Sequence, residues 1–392
     1  MTRVRLTQFS LSTFCPKYSH ASRQLHKMPP PRPRWETNKK KPPAAKASKP
    51  RGVKFTDAVA PSTPSLPIEL QQLLLNIFKN SFAERFATDI TPLLQEVKSH
   101  LYNRDFTTAF GKDEYLQTYA ARWSPSRALG YAQLFWDLRE HLWAGEKSKN
   151  GSDEVATKSG KVVCLGGGAG AELVALAGVQ RLASTEKGED ADGKAMMEVV
   201  SIDIADWTTI VATLTDHITT PPQVHKYASA AIKAANFALA SPDTFRVSSH
   251  QHDVLNADFS ALKTLLKDAT LVTLMFTLNE LYSTSLPLTQ RFLLNLTSVL
   301  PTGSFLLVVD SAGSYSSITL NGAEKTYPMQ WLLDHTLLRP IGDDGSAKTQ
   351  DEEASWEKVK EDESRWFRLD EALEYPIELE DMRVQLHLYR RT

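Results

Sequence analysis

Cysteine is nearly absent from this chain of 392 residues, which has only two, Cys15 and Cys164. They stand in unlike surroundings, a polar tail and an apolar run, so a disulfide framework and a cysteine-rich zinc site are both excluded, and the usage suits a reducing compartment. His250 and His252 lack cysteine or carboxylate partners at ligand spacing, and no metal site is expected. No run of about 18 apolar residues occurs, so no membrane span is expected. An excess of one charge is missing too, with 45 Lys and Arg against 46 Asp and Glu.

That balance hides a polarised distribution. Residues 1–54 hold 14 of the basic side chains and a single acid, Glu36, which leaves 31 basic and 45 acidic residues on the remainder. An acidic body does not attract nucleic acid by itself, because phosphate binding depends on Lys and Arg releasing counterions. The attraction has to come from the tail or from a local patch. Residues 1–65 are rich in Pro, Ser, Lys and Arg and lack the apolar content that offsets ordering entropy, which predicts a disordered basic tail. Residues 1–35 contain no acid and suit a mitochondrial targeting segment. Alternatively Met28 is the start, and the Lys/Arg cluster after it is a nuclear or nucleolar signal, an RNA-attracting arm, or a solubilising tail.

Residues 66–145 read as a helical region. Leu70, Leu73, Leu74, Ile77 and Phe78 recur at helical spacing, and Phe82 and Phe86 continue the stripe. A second helix is expected with Thr91 as its cap and Pro92 at its first position. A third, YLQTYAAR, is expected to stop near RWSPSRAL, where Ser124 and Pro125 start another. After a hydrophilic linker, Gly145 to Lys161, the period changes. Short β-rich runs at VVCL (from Val162), EVVSID (Glu198), FRVSSH (Phe245), TLVTLMF (Thr270) and SFLLVVD (Ser304) alternate with helical segments, the pattern of a mostly parallel sheet wrapped by helices. Val384, Leu386 and Leu388 alternate with polar neighbours and suit an added antiparallel strand. Residues 146–392 therefore form one α/β domain, in which the polar stretch Gly342 to Ser364 is expected as an exposed insertion.

The strongest local signal is VVCLGGGAGAE, Val162 to Glu172. An apolar strand runs into Gly166, Gly167, Gly168 and Gly170 and then a helix, which suits a tight turn that a ligand approaches closely. Gly166, Gly168 and Ala171 also fit the dinucleotide pattern. Asp203 closes the second strand, where its carboxylate can accept from ribose hydroxyls in a dinucleotide or another nucleoside fold. It lies 37 residues after Gly166, beyond the about 20 of a dinucleotide fingerprint, although the insertion STEKGEDADGKAM accounts for the excess. Asp253, after the third strand, is either an adenine contact or a cap for the helix Ala257 to Leu266. The fourth strand ends in MFTLNELYS, which sets Asn279, Glu280 and Tyr282 at the end of the sheet where such folds hold their reactants.

The combination of NRDFTTAFG, YAARWSPSRALGYA, CLGGGAGAE, TLNELYS and YPIELEDMRVQLHLYRR resembles fungal large-subunit ribosomal RNA uridine-N3 methyltransferases, from about Pro67 to Thr392. The resemblance implies a Rossmann-like seven-strand sheet with S-adenosylmethionine as donor, and large-subunit rRNA or a pre-ribosomal particle as partner. It implies further that Arg122 and Trp123 close over the cofactor or the RNA, and that Arg127 contacts substrate. The acid that many methyltransferases place two residues before the first glycine is replaced by Cys164, and Glu172 is the candidate substitute, contacting the methionine amino group.

Methylating a uracil ring nitrogen requires removal of a weakly acidic imide proton, for which a carboxylate of raised pKa is suited. Glu280 is the candidate base, alongside Asn279, and Tyr282 the aromatic available to stack on an extruded ring. Glu280 alternatively stabilises the N-terminal turn of its helix. No Pro-Cys or Thr-Cys pair follows the sheet, which argues against attack at pyrimidine carbon 5, and Cys164 reads as a buried apolar residue. No DPPY or NPPY loop for exocyclic amines ends the fourth strand. Two other classes remain: a silent methyltransferase-like RNA-binding module, and an NAD-dependent oxidoreductase, for whose separate substrate domain the chain has no obvious room.

Overall fold

The structure, a computed structural model, describes residues 66–143, 160–187, 196–230, 233, 236–320, 323–338 and 355–392, with backbone alone at 316–320 and 323–325. The expected basic tail and most of the linker lie outside the described residues.

The helical region opens with α1 (Ile68–Ser81), whose buried Leu70, Leu74, Ile77 and Phe78 follow the predicted stripe. A single turn, α2 (Ala83–Phe86), leads to α3 (Thr91–Tyr102). Thr91 is the first helical residue here rather than the cap, because Asp89 Oδ1 accepts from its amide at 2.9 Å. After the short α4 (Phe106–Ala109) comes α5 (Asp113–Leu142), one helix of 30 residues. The expected break at Ser124–Pro125 is absent. Proline in a helix interior removes one N–H and frees the carbonyl four residues back, here that of Ala121. The Tyr375 hydroxyl donates to that oxygen at 2.9 Å, so the helix continues with the carbonyl satisfied.

The α/β part carries β1 (Gly160–Leu165), α6 (Ala171–Lys187), β2 (Met197–Asp203), α7 (Thr208–Thr219), β3 (Phe245–Gln251), α8 (Phe259–Leu266), β4 (Leu271–Met275), α9 (Leu278–Thr284), α10 (Leu286–Val299) and β5 (Phe305–Ser311). A hairpin, β6 (Tyr315–Leu320) and β7 (Ala323–Pro328), precedes α11 (Met329–Leu337), and β8 (Trp356–Phe367) and β9 (Met382–Arg391) close the chain. All five expected parallel strands form. The seven-stranded order is β3-β2-β1-β4-β5-β9-β8, with β9 antiparallel to both neighbours. Order therefore reverses between β1 and β4, and ligands of such sheets bind outside the carboxyl ends of the strands at that point.

One face of the sheet buries Val163, Leu165, Val272, Leu274, Leu306 and Val308 against Leu262, Phe292, Leu296, Leu332 and Leu333 of α8, α10 and α11. On the other face α5 packs closely on α6 and reaches the start of β9, where Gly130 meets Met382.

Of the polar stretch expected as an exposed insertion, residues 342–354 lie outside the described residues, and the remainder is corrected. Trp356 onward is β8, the edge strand beside β9, held to α5 by an ion pair between Arg365 and Asp137. An edge strand has one neighbour and tolerates Lys and Glu along its length, so its composition resembles that of a loop. Two register shifts, Lys358/Lys360 and Asp362/Arg365, erase what alternation remains.

Candidate active site

β1 delivers the chain into the glycine turn. Gly166 and Gly170 have φ of +79° and +80°, a backbone region that side chains with a Cβ rarely adopt. The Gly166 amide donates to the Ile202 carbonyl at 2.7 Å, which ties the turn to the end of β2. Asp203 closes β2, and its Oδ2 accepts from the Gly168 amide at 3.1 Å while Oδ1 accepts from the Ala205 amide at 3.1 Å. Burial raises its carboxyl above the ordinary value although these amides oppose the shift. The Trp207 side chain and the Ile204 amide act in the same direction.

Aromatic side chains cover this turn. A Cβ on Gly168 would run into the Trp207 indole. Trp207 sits 5.4 Å from the Phe110 ring and 5.9 Å from that of Tyr119, which in turn lies 4.9 Å from Trp123. Ser124 Oγ donates to the Ala169 carbonyl at 2.8 Å, so α5 is fastened to the glycine turn directly. Trp123 thus stands in the aromatic group beside the turn. The Arg122 guanidinium pairs with Glu380, before β9, and lies 5.9 Å from the Trp123 ring, so it joins the C-terminal segment to the same aromatic group. Arg127 donates to the Tyr119 hydroxyl at 2.8 Å and lies 5.0 Å from the Phe276 ring, just after β4. The second contact brings α5 against the segment that follows β4.

Glu172, in the first turn of α6, is 3% exposed. Its Oε1 accepts from Thr273 Oγ1 of β4 at 2.7 Å, and burial pushes its carboxyl up to about 7. A Cβ on Gly167 would meet both the Cys164 Cβ, at 2.6 Å, and Glu172 Oε2, at 2.9 Å. The Glu172 carboxylate therefore occupies the space beside Cys164 where a strand-borne acid would otherwise lie. Cys164 itself is buried and its thiol pushed well above the ordinary range, an inert packing residue.

Of the two readings of Asp253, the structure favours capping, but of a turn. Its Oδ1 accepts from the amides of Leu255 and Asn256 at 2.9 and 3.1 Å, and its Oδ2 from the Asn256 side chain at 2.9 Å. Burial opposes ionisation, yet these bonds bring the carboxyl below its ordinary value. The helix that follows starts at Phe259, and Asp258 caps it.

Across from the glycine turn, β4 ends at Met275 and α9 begins at Leu278. The Asn279 amide donates to Asp310 Oδ2 at 3.2 Å. Asp310, at the end of β5, also accepts from the Ser311 amide at 2.8 Å and Ser314 Oγ at 3.2 Å, and burial pushes it up to about 6. Glu280 keeps 39% of its side-chain surface, but its Oε2 is buried and accepts no hydrogen bond. Burial raises its carboxyl against the pull of Arg104, whose Nη1 lies 3.6 Å from that oxygen.

Tyr282 is a correction. It is 2% exposed and belongs to the core cluster with Leu278, the residue one helical turn before it, so it offers no face to a base. The inward stripe of α9 takes positions 278 and 282 and leaves 279 and 280 half-buried.

Four residues escaped the sequence reading: Asp310, Arg104, Trp207 and Tyr119. Asp310 was visible as the acid ending SFLLVVD, and Arg104 as part of NRDFTTAFG. Neither pattern says which strand end or turn it will face.

Residues 78–390 match a family described as SAM-dependent methyltransferases, where SAM is S-adenosylmethionine. A Saccharomyces cerevisiae protein named 25S rRNA (uridine(2843)-N(3))-methyltransferase is 34% identical over 337 residues, covering 81% of this chain and 85% of the yeast protein. Among solved structures, an O-methyltransferase family protein from Burkholderia thailandensis overlays with a TM-score of 0.35 at 13% identity, covering 81% of this chain and 72% of that one. The N-methyltransferase NodS from Bradyrhizobium japonicum, in complex with S-adenosyl-L-homocysteine, gives 0.31 at 11% identity, with 76% and 98% covered. The strand order, rather than these distant overlays, defines the fold.

Proposed function

Because the chain belongs to the SAM-dependent methyltransferase family, we propose that it methylates N3 of a uridine in large-subunit ribosomal RNA during ribosome biogenesis. The donor is S-adenosylmethionine, which supplies an electrophilic methyl group on a sulfonium sulfur. The residues present fit it: a glycine turn with positive φ at the end of β1, an acid at the end of β2 that the turn's own amide meets, and a second acid, Glu172, beside Cys164. In this reading Asp203 holds the ribose hydroxyls and Glu172 lies under the methionine amino group.

The observation that carries the N3 assignment is Glu280. It is a carboxylate of raised pKa with one buried oxygen free of hydrogen bonds, at the carboxyl end of β4 beside the switch point. A base of this kind takes the imide proton of a uracil brought out of its helix, and alignment of the two reactants supplies most of the rate. Asn279 and Asp310 fix the backbone of this corner, and Arg127 supports it through Phe276. The name of the yeast relative supports uridine N3 in 25S-type rRNA as the target. The basic N-terminal tail supplies attraction to RNA that the acidic body lacks, and we assign the protein to the nucleolus on the same ground.

The test is mass spectrometry of large-subunit rRNA nucleosides from a strain lacking the protein, complemented with wild type or Glu280→Ala. Deletion should lower 3-methyluridine, and only wild type should restore it. Unchanged nucleosides on deletion would end the substrate assignment. Full rescue by the variant would remove Glu280 as base.

A further inference from the structure

Glu280 is met by an arginine from the helical region, through a turn built with unusual care. α3 ends at Tyr102, and the chain reverses through Asn103, Arg104 and Asp105. The Asn103 side chain donates to the Ser99 carbonyl at 2.9 Å, the Arg104 amide to Leu101 at 3.0 Å, and the Asp105 amide to His100 at 2.9 Å. Asp105 then caps α4 by accepting from the Thr108 amide at 3.1 Å. The Arg104 and Asp105 amide bonds are the pair that closes a helix with one left-handed residue, and Arg104 takes that place at φ +56°, which fixes where its side chain leaves the turn.

The guanidinium points at Glu280 Oε2 but stops at 3.6 Å, beyond hydrogen-bond length, and the two side chains keep 46% and 39% of their surface. An ion pair serving stability alone gains from closing to a bidentate contact. Here a donor fork and an acceptor carboxylate lie side by side, both with surface left for a third group. The pairing edge of uracil carries the complementary pattern, since N3–H is a donor flanked by the carbonyl oxygens O2 and O4.

We propose that Arg104 is a substrate-contacting residue, which donates to the uracil carbonyl oxygen next to N3 while Glu280 faces the N3 proton. This inference rests on the reading of Glu280 as the base. The N3 proton passes to the Glu280 carboxylate, and the charge left on the ring spreads onto the carbonyl oxygen that Arg104 holds. The N3 electron pair then forms the bond to the methyl carbon as the carbon–sulfur pair leaves with sulfur. The uracil is neutral again, and Glu280 gives its proton to solvent. The same pair selects against cytosine, whose N3 carries no proton and which replaces O4 with an amine donor. Lone pair would then face carboxylate and, where Arg104 holds O4, donor would face donor.

The test uses the full-length protein and rRNA isolated from a strain lacking it, with Arg104→Gln and Arg104→Lys. Arg104→Gln should lower kcat about 100-fold, with calorimetric affinity for S-adenosylmethionine changed by less than about threefold. Its acid limb of kcat against pH should move upward, because Glu280 loses a neighbouring positive charge. Arg104→Lys keeps that charge, so its limb should stay in place while kcat falls about tenfold for want of the planar fork. An unchanged kcat in Arg104→Gln overturns the inference, as does a loss confined to KM for RNA with the pH limb fixed, the mark of a phosphate anchor. Should Arg104→Gln not fold, a wild-type kcat in Arg104→Lys overturns it alone. Wild-type protein that makes no 3-methyluridine ends the functional reading itself, an outcome distinct from these.

Discussion

The Tyr375 hydroxyl donates to the carbonyl oxygen of Ala121 at 2.9 Å, the oxygen that Pro125 deprives of its helical partner. This bond ties the segment before β9 to the middle of α5, on the stretch that carries Trp123 and Ser124 to the glycine turn. Removing the hydroxyl leaves a buried acceptor unmade, so Tyr375→Phe should cost about 1–2 kcal/mol in urea unfolding. In a Pro125→Ala background the backbone N–H returns, and the same change should cost only a few tenths. Equal costs in the two backgrounds would show that the hydroxyl does not serve this carbonyl.

Glu172 makes stability depend on pH with a defined sign. Its folded pKa of about 7 lies above the ordinary 4.5, so the folded state holds the proton more tightly between those values. Its contribution is complete below about pH 4.5 and is lost as pH rises to about 7; Asp310, raised to about 6, adds to the slope. Glu172→Gln keeps an acceptor for Thr273 and carries no charge. It should be more stable than wild type by roughly 3 kcal/mol at about pH 8, with a flatter profile between about pH 5 and 7. A variant that retains the full slope would place its origin elsewhere.

Gly168 lies under the Trp207 indole with no room for a methyl group. Gly168→Ala should destabilise by about 1–3 kcal/mol through overpacking and weaken S-adenosylmethionine at least about tenfold. Adding Trp207→Leu should recover part of the stability. Calorimetry and thermal unfolding read both quantities, and independent, additive losses would refute the contact.

Burial of Tyr282 separates packing from catalysis. Tyr282→Phe should keep methylation within about twofold of wild type, whereas Tyr282→Ala should cost about 3–5 kcal/mol of stability. A large fall in kcat for the phenylalanine variant at wild-type stability would return the phenol to the reaction.

Much of the architecture was legible because its signals are local. Apolar runs of strand length, a glycine-rich bend and a helical stripe each depend on residues a few positions apart, and all five parallel strands formed where those runs stood. β8 was not legible, since one neighbour and two register shifts leave an edge strand with the composition of a loop. Pro125 misled for the opposite reason: its local effect is real, but a hydroxyl far along the chain cancels it.

The chain's order of residues alone determined that a glycine turn follows the first strand, that an acid closes the second and that another follows the fourth, because backbone geometry and strand period act within a few residues. Which side chains would share a space was decided by the packed structure. Only there does Glu172 take the place beside Cys164, does Tyr282 turn inward while Glu280 turns out, and does Arg104 meet Glu280. Such meetings are set by how helices dock on the sheet, a balance of buried area summed over the molecule, and no single segment carries that information.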